Sequence, residues 1–239
     1  MIERHIARLR ARHSISGAEE QAIRGLVSET RRVAKQTVLI REGALLDSST
    51  LLLDGLLCRY KDMEEGRRQI TELHLPGDFA DLHSFTLKRL DHNILAMSDS
   101  LLATVPHERI QRLINDHPRL GRIYWFSTNL DAAIHREWVL SLGTRGAAER
   151  TATLFCELQV RIGLIDGTSP KEFMLRMSQS ELAECLGITP IHVNRTLARL
   201  REEKLMSFRH NRAEIYDLAG LRRLADFDDG YLYLDPEPL

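Results

Sequence analysis

The segment 178–203 constrains the fold more than any other part of the chain. Ser178 and Glu181 have the spacing of a capping box, in which a serine hydroxyl and a glutamate carboxylate close the first turn of a helix. Gly187 can end that helix, and Thr189-Pro190 can begin another as N-cap and first helical residue. The residues expected where two steeply crossed helices touch are Leu182, Ala183, Leu186, Ile188, Val193, Leu197 and Leu200. The pattern predicts a helix-turn-helix.

The second of these helices predicts a surface that reads double-stranded DNA. Arg195 lies opposite the apolar contacts, and its planar guanidinium can donate to guanine O6 and N7 together. Two predicted strands, 205–208 and 213–216, enclose a basic turn that would lie against the sugar-phosphate backbone. The predicted DNA contacts are Ser178, Gln179, Thr189, Pro190, Ile191, His192, Arg195, Arg199, Arg209, His210 and Arg212. A winged helix that binds protein instead of DNA is the alternative.

The region 37–106 has a different sequence pattern, because short apolar runs alternate with turn residues. The runs are Val38–Ile40, Leu51–Leu53, Leu56–Tyr60, Gln69–Leu73 and Ile94–Met97. Such spacing predicts an antiparallel barrel or a double-sheet roll. Two short helices are predicted before it, the second with Ser16 and Glu19 as a capping box.

A long helix is predicted between these regions, over 118–142, with a length of roughly 37 Å. Its apolar residues occupy more than one face, which favours two partners, the chain's own roll and a second copy of the chain. The predicted dimer interface is Ile123, Phe126, Leu130, Ala133, Ile134, Glu137 and Leu140. A single amphipathic helix on one core is the alternative. Gly143 and Gly146 predict a hinge, 147–162 predicts another helix, and 173–177 predicts a strand.

Overall charge and cysteine content exclude several classes of protein. The formal net charge of the 239 residues is −1, so a nucleic-acid surface must come from local clustering, and nine Lys and Arg against six Asp and Glu between Arg176 and Arg223 provide it. Cys58, Cys156 and Cys185 have no ligand spacing, which argues against a cysteine-held metal and for a reducing compartment. There is no apolar signal-peptide core and no long apolar stretch, so we expect a cytoplasmic protein without membrane contact. No catalytic cluster has a known spacing, so we expect no enzyme.

Several motifs together resemble the Crp/Fnr family of bacterial transcription regulators over about 20–225. The matching segments, in order, are 38–43, 53–55, 75–79, 146–150 and 177–200. The resemblance implies an α+β protein with an N-terminal cyclic-nucleotide-binding-like β-roll (jelly roll), a long central dimerisation helix and a C-terminal winged helix-turn-helix. It also implies a homodimer on a pseudo-palindromic operator, with RNA polymerase as a partner. The expected divisions are helices and roll 1–117, central helix 118–142, hinge 143–146, DNA-binding domain 147–225 and acidic tail 226–239, which would be frayed or packed as an arm.

This sequence departs from the cyclic-nucleotide-binding members of that family. Where those have a Gly-Glu pair for the ribose and an Arg-Ser or Arg-Thr pair for the phosphate, this chain has Asp81-Leu82 and His92-Asn93. We therefore expect cyclic AMP not to bind. The ligand-pocket candidates are Asp81, Leu82, His83, His92, Asn93, His135 and Arg136. The chain also lacks an N-terminal cysteine cluster that could hold iron and sulfur. The effector, a small molecule if one exists, therefore stays unassigned.

Other departures concern the reading helix and the histidines. The segment Thr189–Arg195 resembles a subgroup found in alpha-proteobacteria, and it lacks the glutamate of the better-known branches. Thr196 stands where an apolar contact is expected. His74, His83 and His92 flank the predicted pocket, and we expect them to be solvated, without a bound haem or metal. Cys58 and Cys185 are expected to be small buried residues. A haem- or ligand-sensing signalling module, whose roll is its main activity, is the alternative function.

Overall fold

The structure is a computed structural model that describes residues 2–64 and 66–235, with the backbone alone at Asp166. Two short helices open the chain, α1 (Glu3–Arg10) and α2 (Gly17–Arg24). The predicted capping box of α2 is present, since Ser16 Oγ accepts from the Glu19 N–H and the Glu19 carboxylate accepts from the Ser16 N–H. The apolar face of these helices, which includes Ile6 and Ile23, packs into one core with the first residues of the central helix.

The roll has seven strands in two antiparallel sheets. The strands are β1 (Glu29–Val33), β2 (Val38–Ile40), β3 (Ser48–Asp54), β4 (Leu57–Asp62), β5 (Arg68–His74), β6 (Asn93–Ala96) and β7 (Ser100–Pro106). One sheet has the order β1-β7-β3 and the other β2-β6-β4-β5. Leu52, Leu57 and Ile94 are buried between them. The sequence prediction missed β1, because four of its five residues are exposed and it has no apolar run.

The short helix α3 (Ser84–Leu87) lies between β5 and β6 of the roll. Three longer helices then lead from the roll to the C-terminal region: α4 (His107–Asp116), α5 (Pro118–Thr144) and α6 (Ala147–Asp166). The predicted hinge begins later than expected, because α5 continues through Gly143 to Thr144. The break is at Arg145, whose backbone is extended, and at Gly146, whose N–H donates to the Glu149 carboxylate at 2.6 Å.

The C-terminal region is a winged helix-turn-helix. Its elements are β8 (Glu172–Met174), α7 (Gln179–Leu186), α8 (Pro190–Glu202), β9 (Met206–Arg209), β10 (Arg212–Ile215) and α9 (Leu218–Ala225). The three strands form one antiparallel sheet in the order β8-β10-β9. The strand predicted over 173–177 is shorter, and its last residues, Leu175 and Met177, are buried in the core instead.

The segment after α9 packs as an arm against the first helices. Leu232, in a 3₁₀ turn at Gly230–Leu232, is buried, and its carbonyl oxygen accepts from Arg12 Nη2 at 2.9 Å. Tyr231 Oη donates to the Glu157 carboxylate of α6 at 3.1 Å. Glu237 of the predicted acidic tail lies outside the described residues. No helix in the described part of the chain is long and apolar enough to cross a bilayer.

The helix-turn-helix packs on the roll of its own chain. Gln69 Nε2 on β5 donates to the backbone carbonyl of Glu184 at the end of α7, at 2.8 Å. Gln36 lies just before β2, and its Nε2 donates to the Glu181 carboxylate at 2.8 Å. These contacts hold α7 against the N-terminal half of the chain.

Candidate nucleic-acid interface

The predicted helix-turn-helix is present with its caps. Ser178 Oγ accepts from the Glu181 N–H at 3.2 Å, and the Glu181 carboxylate accepts from the Ser178 N–H at 2.6 Å. Gly187 ends α7 with a φ of +63°, a left-handed conformation that costs glycine little. Thr189 Oγ1 accepts from the His192 N–H at 3.3 Å and begins α8, with Pro190 as its first residue.

One side of α8 packs into the core and orients the other side outward. Val193, Leu197 and Leu200 are buried as predicted. Thr196 is buried too, at 6 % exposure, so its methyl-bearing side chain lies where an apolar residue was expected. The ring of Phe155 on α6 lies 5.4 Å from that of Phe208 on β9. This contact joins the wing, which is the hairpin of β9 and β10, to the helices.

The outward side of α8 is free for a partner. Thr189, Pro190, Ile191, His192 and Arg195 are all exposed, Ile191 at 69 %. No carboxylate in the described part of the chain forms an ion pair with Arg195, which leaves its guanidinium donors available. Such a protruding polar helix face is what major-groove reading requires.

Arg199 and the α7 residues of the predicted set are less free. Arg199 is exposed, but its Nε donates to the Glu203 carboxylate at 2.7 Å, one turn later in the chain. Ser178 is used as an N-cap, and Gln179 Oε1 accepts from Asn194 Nδ2 at 3.1 Å. Ser178 and Gln179 are therefore held in place by the helix pair itself.

The wing has a tight basic turn. His210 and Asn211 have φ values of +51° and +63°, as in the two-residue turns that suit the twist of a hairpin. Arg209 is exposed, and none of the described carboxylates pairs with it. Arg212 is exposed but forms ion pairs with Glu172 on β8 and Glu214 on its own strand. Arg209 is thus the freer of the two predicted phosphate contacts.

Sequence reasoning missed two residues of this surface. Asn194 is exposed on the reading side of α8, and its position next to Arg195 could have indicated it. Arg201 lines a surface concavity between the end of α8 and the wing, together with Arg209 and Arg212. No local pattern indicates Arg201, because the concavity forms only when the hairpin folds back beside the helix.

The predicted dimer interface is partly wrong. Ile123, Ala133 and Ile134 are buried against the chain's own core, at 0 %, 4 % and 5 % exposure, so they cannot contact a second copy. Phe126, Leu130 and Glu137 are half-buried, and Glu137 pairs with Arg145 at 2.5 Å. Leu140 alone among the seven residues is exposed, at 48 %.

The exposed face of α5 lies one residue away from the predicted stripe. Its residues recur at alternating spacings of three and four, and we call them the seam: Arg122, Trp125, Asn129, Ala132, Arg136, Val139 and Gly143, with Leu140 beside them. Trp125 and Val139 are 68 % and 70 % exposed. This spacing is that of a coiled-coil contact stripe. The prediction failed because other elements of the same chain, among them α4, the arm after α9 and β5, cover the more apolar of the two faces.

The structure brings three of the predicted ligand-pocket residues, His83, His92 and His135, together around Arg59 of β4, since His83 Nδ1 lies 3.4 Å from Arg59 Nη2 and 3.9 Å from the Asp131 carboxylate. The other four residues have their contacts elsewhere. Arg136 belongs to the seam, which is a correction to its predicted place. Asn93 Oδ1 accepts from the Glu42 N–H at 3.0 Å, and Asp81 is fully buried with the Thr50 N–H on its Oδ1 at 2.5 Å. Burial raises the pKa of Asp81 to about 7. Leu82 is buried as well.

The histidines of the roll are less exposed than predicted. His74 is 1 % and His92 is 8 % exposed, so the expectation that they are solvated is wrong. His92 Nδ1 pairs with Asp91 at 2.9 Å, and its ring lies 5.4 Å from that of His83. Burial and the charge of Arg59 lower the pKa values of His74, His83 and His92.

An arginine fills the inside of the roll where the strands face α5. Arg59 on β4 is 3 % exposed; its Nη1 donates to Glu72 at 2.8 Å and to Asp131 of α5 at 2.6 Å. His135 Nε2 lies 3.3 Å from the same Glu72 carboxylate. Burial and the neighbouring Asp131 raise the pKa of Glu72. Arg59 thus bridges the two carboxylates, and its positive charge offsets part of the negative charge in the cluster of Glu72, Asp131 and His135.

Comparisons with known proteins agree with this architecture. A family model described as a cyclic nucleotide-binding domain matches residues 30–117, and one described as a Crp-like helix-turn-helix domain matches residues 149–224. Together they cover more than half of the chain. The fumarate and nitrate reduction regulatory protein of Vibrio cholerae is 25 % identical over 216 residues, which are 88 % of this chain and 86 % of the relative. The transcriptional regulatory protein btr of Bordetella pertussis is 26 % identical over 206 residues, 86 % of this chain and 85 % of the relative.

Solved structures share the fold. FixK2 from Bradyrhizobium japonicum superposes with a TM-score of 0.75 at 24 % identity, covering 83 % of this chain and 98 % of that one. A CooA variant from Carboxydothermus hydrogenoformans superposes with a TM-score of 0.66 at 16 % identity, covering 82 % and 87 %. The roll, the long helix and the winged helix-turn-helix, in this order and with both family models matched, make the chain a member of the Crp/Fnr family of DNA-binding transcription regulators.

Proposed function

We propose that the protein binds a two-fold symmetric operator as a homodimer, with α8 of each copy in the major groove. Half-sites would then be one helical turn, roughly 34 Å, apart. The observation that carries the proposal is the free outward side of α8, with Arg195 unpaired among the described residues, next to the basic wing turn. Arg195 would read a base, Ile191 would contact a thymine methyl, and Arg209 would hold a phosphate.

The seam supports the homodimer part of the proposal. It presents exposed Trp125 and Val139 along a helix that is 27 residues long, and large apolar side chains at regular coiled-coil spacing favour burial against a partner. Val139→Asp removes an apolar contact from both copies, so we expect the dimer to dissociate at least about tenfold more easily.

Analytical ultracentrifugation over a range of concentrations measures this effect. Leu87→Asp is the matched control, because Leu87 is 62 % exposed but lies on α3, away from the seam. We expect this control to leave the dissociation constant unchanged. A monomer at all concentrations of the unchanged chain would contradict the proposed homodimer.

Substitution at Arg195 tests the reading role. Selection from random oligonucleotides first gives an operator, and fluorescence anisotropy then measures the affinity of the full chain for it. Arg195→Ala should cost about 1–3 kcal/mol on the operator and much less on random DNA, since the loss concerns one base contact. Arg112→Ala, which removes an exposed arginine of α4 paired with Glu108, controls for net charge. Equal losses for Arg195→Ala on both DNAs would contradict a base-reading role.

The effector, the RNA polymerase partner and the alpha-proteobacterial subgroup remain predictions. We expect cyclic AMP not to be the effector, and the interior of the roll supports this expectation. Arg59 lies there in a network with Glu72 and Asp131, and a nucleotide phosphate would meet two carboxylates. Isothermal titration of the purified chain with cyclic AMP tests this, and saturable binding would contradict it.

A further inference from the structure

The turn between α7 and α8 lies against three other elements of the chain. A methyl group at Gly187 would lie 3.3 Å from Gln69 Oε1, 3.3 Å from Leu142 Cδ2 and 3.6 Å from Arg150 Nη1. These neighbours belong to β5 of the roll, the last turn of α5 and the first turn of α6. We call Gln69, Leu142 and Arg150 the turn socket. The turn of the helix-turn-helix therefore lies where the roll, α5 and the hinge meet.

The turn socket also supplies hydrogen bonds that the end of α7 cannot make by itself. The last four carbonyl groups of a helix have no partner within it. In α7 they belong to Ala183, Glu184, Cys185 and Leu186. The first accepts locally from the N–H of Gly187, the middle two accept from Gln69 Nε2 at 2.8 and 3.3 Å, and the last accepts from Arg150 Nη1. The end of α7 therefore depends on donors that lie outside the helix-turn-helix.

Arg150 joins the end of α7 to the end of α5. Its Nη2 donates to the carbonyl oxygens of Leu142 and Arg145, both at 3.0 Å, while its Nη1 donates to that of Leu186. No carboxylate in the described part of the chain forms an ion pair with Arg150. Its charge lies instead at the C-terminal ends of two helices, where the helix dipole favours a cation. One side chain thus links α7, the hinge and α5.

The turn socket determines where the reading helix lies relative to the seam. α8 begins directly after the turn, with Thr189 as its N-cap, so a displacement of the turn would also displace Arg195. α5 carries the seam, along which the proposed homodimer has its two-fold axis. The separation of the two α8 helices in such a dimer therefore depends on the contacts that Arg150 makes between α7 and α5. Gln69 adds a second contact, from the roll.

We propose that Gln69 and Arg150 are positioning residues for DNA reading, which hold the turn of the helix-turn-helix at the distance from the two-fold axis that an operator requires. This inference rests on the proposed function, because it assumes that two copies of α8 enter the major groove together. Both residues act through the backbone of α7. Hydrogen bonds from a charged donor are the stronger kind, so Arg150 should have the larger effect.

Binding to a whole operator and to one half-site tests the proposal. The operator selected for the unchanged chain is compared, by fluorescence anisotropy, with a duplex that contains a single half-site. Arg150→Met keeps an unbranched side chain and removes the donors. We expect it to weaken binding to the operator at least about tenfold and to leave binding to the half-site nearly unchanged. Gln69→Leu should have a smaller effect of the same kind, and it keeps the test possible should Arg150→Met not fold.

Conservative and control variants separate positioning from stability. Arg150→Lys keeps a cation that can donate to more than one carbonyl oxygen, so it should recover most of the operator binding. Arg112→Met and Gln111→Leu remove the same side-chain types from exposed places on α4 and should leave both affinities unchanged. Unchanged operator binding in Arg150→Met and Gln69→Leu would overturn the proposal. Equal losses on the operator and the half-site would also overturn it, because a residue that serves stability alone weakens binding to every DNA alike.

A distance measurement without DNA keeps the inference separate from the proposed function, which alone would be contradicted if the unchanged chain selected no operator. Spin labels at Leu87→Cys of α3 and Glu202→Cys of α8, both exposed, report the position of α8 relative to the roll. The native cysteines are buried, and an excess of unlabelled chain keeps the measured distance within one copy. We expect double electron–electron resonance to give a displaced or broader distance distribution in Arg150→Met and in Gln69→Leu. The same distribution as in the unchanged background would overturn the inference.

Discussion

Arg195 on the DNA-reading surface and Arg59 inside the roll are the same residue type in opposite settings. Arg195 is exposed and forms no ion pair in the described part of the chain. Arg59 is 3 % exposed and is held by Glu72, Asp131 and the carbonyl oxygen of Ala80. On the reading surface the guanidinium donors are available to a partner molecule, whereas inside the roll they are hydrogen-bonded to groups of the same chain.

This difference also separates what each region contributes. The reading surface adds little to stability, because its polar groups are already solvated. The interior of the roll contains charges that are stable only together, since a buried charge without its partner is costly. Substitution of Arg59 should therefore change stability, and substitution of Arg195 should change DNA affinity.

The largest effect is expected for Arg59→Met. It leaves the buried Glu72 carboxylate and the half-buried Asp131 carboxylate without their shared cation, which should lower the free energy of unfolding by about 3–5 kcal/mol. Urea denaturation followed by circular dichroism measures this. Arg68→Met on β5 is the control, because Arg68 pairs with Asp62 in a more exposed place, and it should cost less than about 1 kcal/mol. Similar losses of stability in the two variants would show that the buried network contributes no more to stability than the exposed ion pair does.

A second effect depends on pH and concerns Asp81. Burial raises its pKa to about 7 in the folded chain, against about 3.9 in an unfolded one, so the folded state binds more protons between these values. Its contribution to stability is complete below about pH 4 and is lost as the pH rises through 7. Asp81→Asn keeps an oxygen for the Thr50 N–H and removes the charge, so it should raise the free energy of unfolding at pH 8 by roughly 2–4 kcal/mol.

Urea denaturation of this variant and the unchanged chain at pH 5 and pH 8 gives the comparison. The gap between the two proteins should widen from the lower to the higher pH. Asp54→Asn, at a carboxylate that is half exposed, is the control and should show no such widening. A constant gap for Asp81→Asn would mean that Asp81 does not titrate in this range.

The two regions also differ in how far the sequence predicts them. The caps at Ser178 and Thr189, the turn at Gly187 and the wing strands follow from residues close together in the chain, and local spacing predicted them. Arg59 meets partners that are 13 and 72 residues away, on β5 and α5, and no local pattern indicates such a contact. The charged strand β1 was missed for the same reason, since its pairing with β7 forms it. The dimer stripe was predicted one residue away from the seam, because the pattern did not show which face of α5 the rest of the chain would cover.

A smaller effect is expected at the N-cap of α8. Thr189→Ala removes the acceptor of the His192 N–H, which should cost about 1 kcal/mol in the free energy of unfolding. Urea denaturation measures the change. Thr189→Ser keeps the hydroxyl and should restore most of the stability. An equal loss in both variants would assign the effect to the threonine methyl group instead of the cap.

The smallest effect compares the two arginines at the wing turn. Arg209 has no ion pair among the described residues, whereas Arg212 is held by Glu172 and Glu214, so Arg209 should make the stronger phosphate contact. Each phosphate contact that is lost reduces the slope of log affinity against log salt by about 0.9. We therefore expect Arg209→Ala to reduce this slope by about one on any DNA sequence, and Arg212→Ala by clearly less. Fluorescence anisotropy at several salt concentrations measures both slopes, and equal changes would mean that DNA displaces the two carboxylates from Arg212 as it binds.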